Sequence, residues 1–181
     1  MCLSGAKPPA PSKSTFSGPI TCTKGCPDNP PYEPGKWNTS PYQTSTNCYA
    51  YAANDRLGHP KGGKPQPGVK CGKPASAATC SNIGAASVCD GMIPAPNPPP
   101  PKPGYYPVAL VMHPGVDYHW YRLDNTGTWS HKPGHGAATN LDASGKPITN
   151  PETADRNYGR VNYKEFCGYY YVPAGGSRTA P

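Results

Sequence analysis

Apolar positions in this chain are gathered into a few short runs separated by long polar, proline-rich and glycine-rich stretches. Tyr105 to Met112 (Tyr-Tyr-Pro-Val-Ala-Leu-Val-Met) is a nearly continuous apolar strand, stopped by His113-Pro114-Gly115. Asp117 to Leu123 predicts a second strand, with a turn at Asn125-Thr126-Gly127. Trp129 to Lys132 opens a third, cut off by Pro133-Gly134. Phe166 to Val172 is a fourth, after a helical turn near Thr153 to Tyr158. Upstream the pattern changes. The alanine-rich run from Cys48 to Leu57 ends in Gly58 and Pro60, a helix with its stop signals, and Asn47 or Thr46 serves as its N-cap. Residues 75–89 predict a weaker helix that contains Gly84. Helix first and antiparallel sheet later is an α+β order.

The remaining segments organise the chain. Prolines at 8, 9, 11, 19, 27, 30, 31, 34 and 41 predict an extended arm over residues 1–41, pinned by Cys22 and Cys26. The domain proper is expected over 42–173. Within it lie a Gly/Pro/Lys loop at 61–73 and a Pro-rich internal loop at 94–104, read as a surface excursion. Residues 174–181 are expected to be a flexible tail. At 181 residues the chain is one domain long, yet it holds 27 prolines and 21 glycines, so its core must be small and locally concentrated.

Charge narrows the choice of partners only slightly. The formal charge of +7 favours encounter with anionic polymers, but the basic residues are scattered and no nucleic-acid reading motif accompanies them, so nucleic acid is not an expected partner. No apolar run approaches membrane-spanning length, and a monomer is expected. Eight cysteines point to an oxidising compartment and to disulfides. A zinc site built from Cys22 and Cys26 with Cys71, Cys80 or Cys89 lacks the second close ligand pair that structural zinc sites show, so neither metal nor cofactor is expected.

Cys48 stands apart because it opens a helix, where the dipole and free N–H groups favour thiolate. A nucleophile there needs a base, and His119 fits, since alternation in its strand turns it away from Tyr118 and Trp120. Across the turn His131 becomes a diagonal neighbour that can orient the imidazole; Asn140 and Asp142 compete for that third role. Giving Cys48 to catalysis leaves seven cysteines, so Cys2 or Cys167 should be unpaired.

The helix-opening cysteine followed by His-Trp-Tyr-Arg-Leu-Asp-Asn-Thr-Gly-Thr-Trp-Ser-His resembles the papain-like bacterial cell-wall hydrolases of the NlpC and CHAP types. The resemblance spans roughly residues 42–135. The usual Asp-Cys-Ser-Gly and Gly-His signatures are replaced by Asn47-Cys48-Tyr49-Ala50 and Tyr118-His119-Trp120. It implies a papain-like α+β fold in which an N-terminal helix carries the cysteine on a small antiparallel sheet. Cys48 would be nucleophile, His119 base and His131 orienter, with Gln43 or Tyr42 as oxyanion donor and Trp120 at the substrate. The implied activity is that of a secreted or periplasmic cysteine peptidase or amidase of the cell envelope, cutting bacterial cell-wall peptide through an acyl-enzyme. Peptide or peptidoglycan would be its substrate and an inhibitor or immunity protein its partner. Two alternatives stand beside it: a toxin-like effector using the same thiol chemistry, and a non-enzymatic, disulfide-stapled secreted module that binds a glycan or protein through its Pro-rich arm and aromatic face.

Overall fold

A computed structural model describes residues 26–57 and 64–181. Its centre is an antiparallel five-stranded sheet with strand order β1-β5-β2-β3-β4. The strands are β1 (Ile93–Ala95), β2 (Tyr105–His113), β3 (Asp117–Leu123), β4 (Trp129–Ser130) and β5 (Glu165–Pro173). Four short helices accompany them: α1 (Pro34–Trp37), α2 (Tyr42–Ser45), α3 (Cys48–Ala52) and α4 (Cys80–Cys89). The α+β class and the four expected strands are therefore present. β1 was not foreseen, because its sequence Ile-Pro-Ala begins the proline tract. Proline is tolerated there because the strand lies at the sheet edge.

β2 reads as continuously apolar because both of its faces are covered. Tyr106, Val108, Leu110 and Met112 join Trp120, Val172, Ile83 and Cys48, Tyr49 and Ala52 of α3 in one cluster. On the opposite face Ala109 and Val111 pack with Tyr121, Leu123, Trp129, Ile148 and Tyr169. β5 changes faces part way. Leu110 pairs with Gly168 and Val111 with Phe166, so Cys167 is the extra residue of a bulge. That shift turns Cys167 toward α4, where it forms a disulfide with Cys80. A second disulfide joins Cys71 to Cys89 at the other end of α4, and Cys26 is also disulfide-bonded. The expectation of an unpaired Cys167 is thus corrected, while Cys2 and Cys22 lie outside the described residues.

Both helices are shorter than their sequences suggest. α3 stops at Ala52, and Asn54 adopts a left-handed conformation (φ 53°) that turns the chain away. α4 starts only at Cys80, capped by the Thr79 side chain, which accepts from Asn82 N. Gly84, a weak residue for a helix, sits where any Cβ would collide with the Tyr170 hydroxyl, so its place is set by packing. The expected helical turn near Thr153 to Tyr158 is not a helix; residues 151–153 form turns.

Residues 26–41 are not a free extended arm. Trp37 is buried against Tyr51 with ring centroids 4.8 Å apart, and the backbones of Cys26 and Pro30 bond to Asn125. Nor is 174–181 a loose tail, since Thr179 is buried with its N–H and hydroxyl both donating to Asp55. No helix among the described residues is long and apolar enough to cross a membrane.

The N-terminal segment, α3 and the sheet meet at Arg122, which is fully buried. Its guanidinium forms an ion pair with buried Asp124 at 2.9 Å, donates to Tyr51 OH and to the carbonyls of Pro31 and Tyr51, and lies 4.1 Å from the Tyr51 ring centroid. Breaking a buried pair from one side leaves an uncompensated charge, at a cost of about 3–5 kcal/mol. Arg122→Met should therefore lower the urea unfolding free energy by about that amount. A loss below about 1 kcal/mol, the range of a surface ion pair, would contradict this role.

Candidate functional site

The start of β3 is where sequence expectation and structure converge. β4 has only two residues and pairs with Arg122 and Leu123, so the first half of β3 keeps its outer edge open to α3. Asn47 caps α3 by accepting from Ala50 N at 3.0 Å, and its own amide donates to Pro65 O. This places Cys48 as the first residue of α3, with its thiol toward the Tyr118 carbonyl at 4.0 Å. Cys48, His119, Asp117, Tyr118, Tyr163, Gln66 and Lys64 line a cavity of about 210 Å³.

His119 and His131 meet as the diagonal geometry predicts, Nε2 to Nδ1 at 2.7 Å. Their tautomers follow from the partner at the far end. His131 Nε2 lies 2.9 Å from the Leu141 carbonyl, which only accepts, so that nitrogen carries a proton. Burial holds the His131 pKa down to about 4, so near neutrality its Nδ1 is a lone pair and His119 Nε2 donates to it. Burial, then neighbouring His131, likewise lowers His119 well below its ordinary value. His119 Nδ1 is consequently a bare acceptor, and no hydrogen bond among the described residues occupies it. Neither the Asn140 nor the Asp142 side chain makes a hydrogen bond to the pair, although the Asp142 charge opposes the fall in the His131 pKa. The flanked Leu141 carbonyl anchors His131, while the Asp142 carboxylate is held within its own loop by Ser144, Lys146 and Asp155.

Three other expected site residues lie elsewhere. Gln43 donates to the His135 carbonyl, the Tyr42 ring lies 4.3 Å from the Arg56 guanidinium, and Trp120 is fully buried on the helix-facing side of the sheet. The expected thiolate is also absent. Burial pushes the Cys48 thiol up to about 12, with the Trp120 backbone N–H opposing and Asp117 adding to the rise.

Sequence reasoning missed Lys132, Lys64, Asp117 and Tyr163. Lys132 is fully buried, and its ammonium donates to the carbonyls of Gln43 (2.6 Å), Thr46 (3.0 Å) and Gly134 (2.8 Å). Burial and the charge of Lys64 lower its pKa to about 8, while the three carbonyls substitute for water around the charge. It thereby ties the segment preceding α3 to the strand end after His131. Asp117 accepts from Tyr163 OH at 2.8 Å and from Tyr118 N. Its only sequence signal is its position two residues before His119. Among the described residues no group of three or more His, Cys, Asp or Glu side chains is arranged to hold a metal ion.

The histidine pair makes stability depend on pH. In the unfolded chain both rings take up protons near 6.5, whereas the fold resists protonation until far lower pH. Over that window the unfolded state holds more protons, so stability present above about pH 6.5 is lost as pH falls toward 4. His131 alone contributes about 3 kcal/mol of that loss. Urea midpoints measured from pH 7 to 4 should decline accordingly, and His131→Asn should flatten the decline.

Comparison with known proteins bears on what this site does. The chain is 38% identical over 143 residues to insoluble matrix shell protein 1 of Ruditapes philippinarum, an alignment covering 78% of this chain and 88% of the relative. No family model and no solved structure matches the chain. The relative is a shell matrix protein of a mollusc, which overturns the expectation of a bacterial cysteine peptidase or amidase. With that activity go the peptidoglycan substrate, the inhibitor or immunity partner, the periplasmic location and the toxin-like alternative. By this similarity the chain belongs to the family of insoluble matrix shell protein 1.

Proposed function

We propose that this chain is a secreted structural component of an insoluble extracellular matrix, a disulfide-stapled module that acts by binding rather than by turnover. The observation that carries this is its 38% identity to insoluble matrix shell protein 1 across most of both chains. Several features of the molecule support it. Disulfides close loops with sequence separations of 18 and 87 residues, which restricts the unfolded chain and suits persistence outside the cell. The net charge of +7 favours adsorption to polyanionic matrix components. Of the sequence-based readings, the non-enzymatic binding module is the one compatible with this relative.

We also propose that the domain retains a papain-like arrangement while serving as scaffold. Its supports are the order of Cys48 at the head of α3, His119 in β3 and His131 just after β4.

An antibody raised to residues 64–181 tests the function. After sequential extraction of the source tissue and its mineralised or insoluble matrix with salt, chelator and detergent, the antigen should remain mainly in the final insoluble residue. Recovery of most of it in the soluble cell lysate would refute the matrix assignment.

A further inference from the structure

The cavity at the head of α3 holds more chemistry than a scaffold needs in order to fold. Every other described cysteine is in a disulfide, yet Cys48 is a free thiol. The thiol points to the Tyr118 carbonyl, and His119, only 3% exposed, lines the same cavity with no hydrogen bond among the described residues at its Nδ1. The lone pair on that nitrogen is held in place by the His131 and Leu141 relay, which costs stability in acid. The Tyr163 ring stacks on His119 at 5.2 Å with an interplanar angle of 28°, and Tyr118 forms another aromatic wall. Lys64 brings an ammonium group to the same cavity, at 2.9 Å from His135 Nδ1.

We propose that Cys48 is a covalent attachment point, at which the chain takes up one planar conjugated-carbonyl electrophile of the quinone class by thiol addition. Several features of the cavity select this chemistry. Tyrosine walls suit a flat ring, the thiol needs a base because it rests protonated, and Lys64 can stabilise the oxygen on which charge develops. Conjugate addition requires neither a leaving group nor an external oxidant.

In the step itself, His119 Nδ1 takes the thiol proton as sulfur bonds to a ring carbon. The π pair of the attacked carbon–carbon double bond shifts to the bond next to the carbonyl carbon, the carbonyl π pair moves onto its oxygen near Lys64, and His119 returns the proton to that oxygen. The hydrogen on the attacked carbon then leaves as a proton to the second oxygen through solvent. The product is a thioether-linked hydroquinone: the quinone is reduced at the expense of the S–H bond, and every atom of both reactants is kept. It happens once per chain and has no turnover. The matrix assignment rests on the relative and on extraction, and it stands whichever way this chemistry falls.

The test treats the folded, full-length protein with 1,4-benzoquinone at equimolar ratio and follows adducts by intact mass and peptide mapping. The expected result is one intact probe molecule on Cys48, absent in Cys48→Ser. The rate should be level between about pH 6.5 and 8.5, because neutral His119 is the base throughout. His119→Gln should slow it by about tenfold or more. Three results would each overturn the proposal: no adduct on Cys48 until the protein is unfolded, a rate rising about tenfold per pH unit as for a free thiolate, or an unchanged rate in His119→Gln. If that variant does not fold, the pH profile of the unmutated protein decides alone.

Discussion

The buried guanidinium of Arg122 is the interaction on which the rest of the architecture depends. A chain so rich in proline and glycine has few long elements, and its helices of four or five residues have little stability of their own. Something must hold α1, α3 and the sheet in fixed relation. Arg122 does so from β3 by bonding to the Pro31 carbonyl, to both oxygens of Tyr51 and to Asp124, and Tyr51 in turn bonds to Ser130 Oγ at 2.7 Å. Burial drives the Asp124 carboxyl upward while Arg122 opposes it. Neither charge is therefore a free contribution to stability. What the pair provides is a geometry that other packings would leave unsatisfied.

Lys132 repeats the device a few residues on. Both buried cations solve the same problem: very short helices and the turns beside them leave carbonyls that need donors, and a long cationic side chain supplies several at once. The disulfides complete the frame on the other side, where α4 is fastened at Cys80 and Cys89 to β5 and to the loop at Cys71. The cavity at the head of α3 is bounded by the chain that Lys132 ties together, at Asn47 and Gly134. Its shape is inherited from the frame, which is why its lining comes from segments as distant in sequence as Asn47, Lys64, Asp117, Gly134 and Tyr163.

How much of this is legible in the sequence depends on how local the determining physics is. The four main strands, the Asn47 cap and the diagonal meeting of His119 with His131 all follow from period, turn position and capping chemistry, which act over a few residues. β1 is hidden because Pro94 argues against a strand unless its edge position is known. The face change at Cys167 depends on a bulge, and its disulfide partner Cys80 lies 87 residues away. Lys132 and Asp117 look like ordinary surface charges until the partners that bury or bind them are in place. The relation to a shell matrix protein comes from 38% identity over 143 residues rather than from any motif read above, and the site residues alone suggest a hydrolase that this relative overturns.

That misdirection has a physical root in the competition between dipole and burial. A helix N-terminus favours an anion by about 0.3–1 kcal/mol, up to about 2 in partly buried geometries, and α3 has only five residues to sustain the effect. Burial acts the other way and is larger: raising the thiol from 9.0 to about 12 corresponds to about 4 kcal/mol against the thiolate. The expected oxyanion donors are also turned to other work, Gln43 toward His135 and Tyr42 toward Arg56. Position at a helix start, a histidine within the same cavity and an oriented tautomer are therefore compatible with a thiol that rests protonated. Such a thiol reacts only when its proton is removed in the bond-forming step itself. This places the chemical weight of the cavity on the His119 lone pair, whose direction is set by His131 and Leu141 rather than by any feature of the helix that carries the sulfur.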